Sequence, residues 1–258
     1  MPVFNVTDQN SQALLGLHYT DQGEGPAIIL VHGFASNIRT NWAGPGWTDT
    51  LTEAGRRVIA LEARGHGASE KPHAASSYAE DALARDVLAL LDHLSLPQAD
   101  YMGYSMGAFI GVSALAQFPQ RLGRMVLAGI GQNYVAPGPA DPQAIAQALL
   151  AASMDDVHDP VARQFRRFAQ LGGNDLEALA ACMLRPRQSM RAADLALVRN
   201  PVLVITGEKD AISGPPEPLA AIIPGAVAAL IPARDHMTAV GDKAYKQMVL
   251  EFLGAQQA

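Results

Sequence analysis

Ala99-Asp100-Tyr101-Met102-Gly103-Tyr104-Ser105-Met106-Gly107 is the stretch on which the reading of this 258-residue chain turns. A short apolar run, Ala99 to Met102, leads into G-x-S-x-G over residues 103–107. An apolar stretch of helical character then runs to about Gln117 and stops before Pro119. Strand, sharp turn and helix around such a serine hold it in a strained backbone conformation. Its hydroxyl is then exposed at a helix start, where unpaired N–H groups favour negative charge. Side chains two positions either side would collide with the neighbouring strand and helix, which gives the glycines their task. A Gly-rich packing turn could carry the same five letters, so the rest of the chain has to decide.

Outward from that turn, strands alternate with helices. Residues 12–19 can form an early strand and Gly23 to Pro26 a turn. Ala27-Ile28-Ile29-Leu30-Val31 and Arg57-Val58-Ile59-Ala60-Leu61 are continuous apolar runs, as expected of strands covered on both faces. The first ends at His32-Gly33-Phe34 and the second in Arg64-Gly65-His66-Gly67. Between them lie Trp42, Trp47 and a short helix before Gly55. Ser77-Tyr78-Ala79-Glu80 reads as a capping box for a helix that places Leu83, Val87, Leu90, Leu91 and Leu94 on one face. Met125 to Ala128 is another buried strand. This order predicts an α/β class protein with a mostly parallel sheet and helices on both faces.

The alternation breaks after residue 131. From Gln132 to Asn200 only helical patterns appear, near 142–152, 159–171, 175–184 and 190–199. Strand character returns at 202–205 and 227–231, and a helix over about 241–253 closes the pattern. The expectation is a core of residues 1–131 and 201–258 interrupted by a helical insertion, 132–200.

Composition narrows the function classes. Net charge is −6, against the basic surface a nucleic-acid binder needs. With 49% hydrophobic and 17% charged residues, disorder is not expected. Cys182 is the single cysteine and has no disulfide or thiolate-site partner. No HExxH or clustered Cys/His set suggests a metal. Gly129-Ile130-Gly131 lacks the third glycine of a dinucleotide fingerprint. No leader pattern opens the chain and no apolar run spans a membrane, so a soluble, cytoplasmic protein without integral membrane contact is expected. Nothing indicates the oligomeric state.

A serine hydroxyl needs a base, and the base an orienting acid. Among seven histidines the best base is His236, just after the run 227–231. The best acid is Asp210, in Gly207-Glu208-Lys209-Asp210 after the run 202–205. Both follow strand ends, where open parallel sheets bind ligands.

The order Ser105, Asp210, His236 resembles the α/β-hydrolase family, and within it the cap-bearing, esterase-like members. The likeness rests on His32-Gly33-Phe34, Arg64-Gly65-His66-Gly67-x-Ser69, the turn at Ser105, Gly207-Glu208-x-Asp210 and Asp235-His236, and runs over nearly the whole chain. It implies an α/β-hydrolase fold, a helical cap over residues 132–200, and a serine esterase acting through an acyl-enzyme without a cofactor. It implies an oxyanion hole made by the backbone N–H groups of Phe34 and Met106. His32 and His66 are then supports of loop structure. Glu62 stands where relatives often carry Asp, and Asp235 where they often carry a small residue; a solvent-facing Asp235 is expected.

The expected partner is a small-molecule ester, with Phe34, Trp42, Tyr104, Met154, Phe165 and Met237 as substrate-binding candidates. Further apolar candidates in the insertion are Leu149, Phe168, Leu171, Met183 and Leu184. Arg163, Arg166 and Arg167, with Arg185, Arg187 and Arg191, read as a solvated basic face or as a dock for an acidic substrate group. Ser rather than Asp at 105 argues against dehalogenase and epoxide-hydrolase chemistry. Perhydrolase or haloperoxidase, lactonase, thioesterase, amidase, C–C hydrolase and lipase activities stay open, as does a receptor role on the same fold.

Overall fold

The continuous apolar runs form the middle of one sheet. A computed structural model describes residues 2–136, 138–186 and 192–254. In chain order the elements are β1 (Val3–Thr7), β2 (Leu14–Gln22), β3 (Ala27–Val31), α1 (Trp47–Glu53), β4 (Arg57–Leu61), α2 (Glu80–His93), β5 (Ala99–Tyr104), α3 (Met106–Gln117) and β6 (Leu122–Ala128). There follow α4 (Gln132–Val135), α5 (Pro142–Leu150), α6 (Pro160–Leu171), α7 (Leu176–Met183) and α8 (Ala192–Leu195). The last are β7 (Val202–Gly207), α9 (Glu217–Ala220), β8 (Val227–Ile231) and α10 (Lys243–Leu253). The strand order is β1-β2-β4-β3-β5-β6-β7-β8. β1 pairs antiparallel with β2 and β2 with β4; every later pairing is parallel.

Alternate residues of each strand feed two cores. Ile29, Val31, Tyr101, Met125 and Leu127 pack beneath α2 and α3, while Ile28, Leu30, Met102, Val126 and Ile205 pack beneath α1 and α10. Because β3 and β5 to β8 run parallel, their carboxyl ends share one sheet edge, and the loops after them meet there.

The capping box expected at Ser77 is not made. The helix starts at Glu80 behind Ala79, with no side-chain cap, and residues 75–78 form a separate short turn of helix. The Ser77 hydroxyl instead donates to Asp8 Oδ2 at 2.6 Å, a longer-range partner that fixes the amino-terminal loop. The strand β1 has no counterpart among the sequence-predicted strands, because its polar alternation hides the buried Phe4 and Val6.

Between β6 and β7 the described chain is helical. Asp141, Asp159 and Asp175 cap α5, α6 and α7, accepting from the N–H groups of Gln143, Ala162 and Ala178. α5 packs on α6 and α7. Arg166 does not belong to a solvated face: it is buried, and its guanidinium donates to the carbonyls of Ala148 and Ala151 at the end of α5. Arg187 and Arg191 lie outside the described residues.

Candidate active site

Ser105 sits between β5 and α3 with φ 52° and ψ −113°, a strained backbone held by its N–H to Ala128 O at 2.7 Å. Both flanking glycines are sterically required. A Cβ on Gly103 would run into the backbone of Gly107, and one on Gly107 into the carbonyl of Val31.

The loops after β7 and β8 bring two more side chains to this turn. His236 Nε2 lies 3.0 Å from Ser105 Oγ, and His236 Nδ1 lies 2.8 Å from Asp210 Oδ2. A carboxylate only accepts, so Nδ1 carries the proton and Nε2 offers its lone pair to the hydroxyl. Asp210 and His236 are both buried. Burial opposes the charge on Asp210. The hydrogen bond and charge of His236, with the Ser213 N–H and hydroxyl, outweigh it and hold Asp210 below the usual carboxylate range. Ser213 carries no motif of its own; its hydroxyl is 3.1 Å from His236 Nδ1. Its offset of three residues from Asp210 was the one available signal.

Phe34 and Met106 share a cavity with the hydroxyl. Met106 supplies the first N–H of α3, and Phe34 follows the end of β3. Among the described residues neither N–H has a protein acceptor, and Phe34, Ser105 and Met106 line one cavity. The loop at Phe34 is braced from behind. Asn41 Oδ1 accepts from Gly33 N–H at 2.9 Å; His32 Nδ1 donates to Gly33 O at 2.8 Å, while its Nε2 accepts from Ala63 N–H. Burial lowers the pKa of His32, against the raising effects of Gly33 O and Glu62. His66 lies 5.1 Å from His32 between ring centroids. Burial first, then the neighbouring charges of His32, Arg185 and Lys71, push His66 down to about 3. Glu62 is buried and accepts from Ala68 N–H at 2.5 Å.

Asp235 is exposed, its Oδ1 accepting from Met237 N–H, Thr238 N–H and Thr238 Oγ1. The hydrogen bonds from Thr238 come first among the causes that lower its pKa.

Two cavities meet at Ser105. One of 380 Å³ is lined by Phe34, Ser105, Met106, Phe109, Ile145, Phe165, Met183 and Arg185, among others. The second, 250 Å³, is lined by Asn41, Tyr104, Ser105, Phe165, Phe168, His236, Met237 and Val240, among others. Phe34 and Phe165 border both, their rings 6.0 Å apart. The candidates Phe34, Tyr104, Phe165 and Met237 therefore line the site. Tyr104 is buried and bonded to the main chain of His236.

Two candidates do not. Trp42 is fully buried on the other side of its helical turn, packed edge-on to Trp47 at 6.5 Å, because its indole completes the core beneath α1. Its neighbour Asn41 faces the cavity instead. Met154 lines neither cavity; it begins a short helical turn whose carbonyl accepts from Arg163 Nη1. Of the further apolar candidates, Phe168 and Met183 reach the cavities, Leu149 is buried among the helices, and Leu171 and Leu184 are exposed.

Among the described residues, no group of three or more His, Cys, Asp or Glu side chains could hold a metal ion. No helix of the described chain is long and apolar enough to cross a membrane.

Residues 26–178 match the family model described as alpha/beta hydrolase fold. The chain belongs to this family. It is 28% identical over 232 residues to the 3-oxoadipate enol-lactonase 2 of Acinetobacter baylyi, covering 83% of each chain. It is 32% identical over 247 residues to the dihydrolipoyllysine-residue acetyltransferase component of the acetoin cleaving system of Pseudomonas putida, covering 89% of this chain but only 64% of that protein. Among solved structures, a hydrolase from Pseudomonas aeruginosa PA01 superposes with a TM-score of 0.77 at 28% identity, covering 98% of both chains.

Proposed function

We propose that this protein is a serine hydrolase of carboxylic esters of small to medium, largely apolar substrates. The observation that carries the reading is the hydrogen-bond chain Asp210–His236–Ser105 at a strained turn, with Phe34 and Met106 lining the same cavity as the serine. His236 takes the proton as Ser105 Oγ attacks the ester carbonyl. The N–H groups of Phe34 and Met106 receive the charge that develops on the carbonyl oxygen. Asp210 holds the ring and stabilises its cation. The proton passes to the departing alcohol, and a water activated by His236 then releases the acid and frees the serine. In this reading the helices of 132–200 form a cap over the serine, set between the core segments 1–131 and 201–258.

A lactone is a cyclic ester and needs no other machinery. Its ring-opened alcohol stays attached to the acyl group, so the likeness to an enol-lactonase favours lactones as a second substrate class.

The test is turnover of p-nitrophenyl acetate and butyrate, and of small lactones, by wild type and Ser105→Ala. The variant should lose about 10⁴-fold or more in kcat while keeping its circular-dichroism spectrum. A purified Ser105→Ala protein that still turns over these substrates refutes the assignment.

A further inference from the structure

The helix α7 touches the serine site at one end and a histidine of the loop after β4 at the other. At its carboxyl end Met183 lines the 380 Å³ cavity, and Cys182 Sγ lies 3.8 Å from Sδ of Met106, the neighbour of Ser105. The helix packs on the short turn over 75–78, and His73 stands just before that turn.

His73 Nε2 donates to Asp175 Oδ2 at 3.0 Å, and His73 Nδ1 lies 3.1 Å from Glu177 Oε2. Both carboxylates belong to the start of α7, which Asp175 caps through its other oxygen by accepting from Ala178 N–H. A neutral imidazole carries one N–H and one lone pair, so one of the two carboxylates would face a lone pair. The cation carries two N–H groups and suits both. The hydrogen bond to Asp175 comes first in raising the His73 pKa; the charges of Asp175 and Glu177 add to it, against desolvation. Among the described residues, the charges that act on His73 are those two. On its own loop Glu70 is exposed and Lys71 Nζ donates to Ser69 O. In the turn over 75–78, Tyr78 is buried and donates to Pro72 O.

We propose that His73 is a positioning residue for the serine site: as a cation it clasps the start of α7 to the loop after β4, and through α7 it holds the Met183 wall of the larger cavity. The clasp is controlled by a proton. Because folding raises the His73 pKa, the clasp is complete below about pH 6.5 and is lost as pH rises through the folded-state value. Its effect on turnover rests on the ester-hydrolase reading; the clasp itself does not.

Two readouts test it, each at about pH 6 and pH 8.5. An ion pair this exposed acts weakly, so effects of about two- to fivefold are expected. The first readout is KM for p-nitrophenyl butyrate in His73→Ala divided by KM in wild type. Titration of His236 acts alike in both proteins and cancels. The ratio should be about two- to fivefold at pH 6 and close to 1 at pH 8.5, with kcat matched at each pH. Glu177→Gln, which keeps the helix cap, should lie between. A ratio that is the same at both pH values, or already 1 at pH 6, overturns the proposal.

The second readout is hydrogen exchange of the backbone amides over 176–183, in wild type and His73→Ala. Wild type should exchange about two- to fivefold more slowly at pH 6, and the two proteins alike at pH 8.5. Equal exchange at pH 6, or a difference that persists at pH 8.5, overturns the proposal. Failure of all ester turnover alongside this pH-dependent difference in exchange would sink the function proposed above and leave the clasp standing. Should His73→Ala not fold, as judged by thermal unfolding, Glu177→Gln decides between the outcomes.

Discussion

The hydroxyl of Tyr104, the residue before Ser105, donates a 2.5 Å hydrogen bond to the backbone carbonyl of His236, and the two rings stand 5.5 Å apart. The bond ties β5 to the loop after β8 across two intervening strands. It fixes the main chain of the histidine independently of Asp210, which holds its ring.

Tyr104→Phe keeps the ring and removes the bond. It leaves the buried carbonyl of His236 without this donor, so stability should fall by about 1–2 kcal/mol. In the proposed mechanism kcat/KM should fall by about three- to tenfold as the imidazole loses its fixed position. Urea unfolding and ester kinetics on the same variant check both; wild-type values in each would show that the bond positions nothing.

Gly103 and Gly107 leave no room for a methyl group. Either Gly→Ala change forces backbone against backbone and should destabilise the protein by about 2–3 kcal/mol or more. Thermal unfolding reads this directly. A Gly107→Ala protein with wild-type stability would contradict the packing described between α3 and the end of β3.

His66 gives the fold an acid sensitivity. Its folded-state pKa is depressed to about 3, so it stays neutral in the native protein while the unfolded chain protonates it near 6.5. The unfolded state thus binds the extra proton between these values. Stability contributed by the neutral ring is complete above about pH 6.5 and is lost as pH falls toward 3, by at most about 1.4 kcal/mol per pH unit. The lowered pKa of His32 acts in the same direction. Urea unfolding at pH 7.5, 6.5 and 5.5 should show His66→Asn with a shallower acid decline than wild type. Identical slopes would contradict the buried neutral histidine.

Much of this was legible beforehand for a physical reason. Buried parallel strands need long apolar runs, and helices need periodic ones, so β3 to β8 and most helices declare themselves locally. The serine turn is legible because only glycine fits at 103 and 107. What stayed hidden depends on partners distant in sequence. Ser77 looked like a helix cap but its hydroxyl goes to Asp8. Trp42 looked like pocket wall, yet a one-residue rotation along its helical turn puts Asn41 at the cavity and the indole in the core. Arg166 carried no mark distinguishing it from its exposed neighbours Arg163 and Arg167; only the packing of α5 on α6 buries it.

Arg166 is accordingly a structural residue. Arg166→Met removes the donors to the carbonyls of Ala148 and Ala151 and should cost about 1–3 kcal/mol. Cleavage by a low dose of protease should move into 132–200, the helices it holds together. An unchanged cleavage pattern and melting temperature would contradict that role.

The most direct test of the central claim is mass spectrometry of the protein after inactivation by diethyl p-nitrophenyl phosphate. One phosphoryl adduct should appear, on Ser105 in its tryptic peptide, rising in step with the loss of esterase activity; activity lost with Ser105 unmodified would contradict the account.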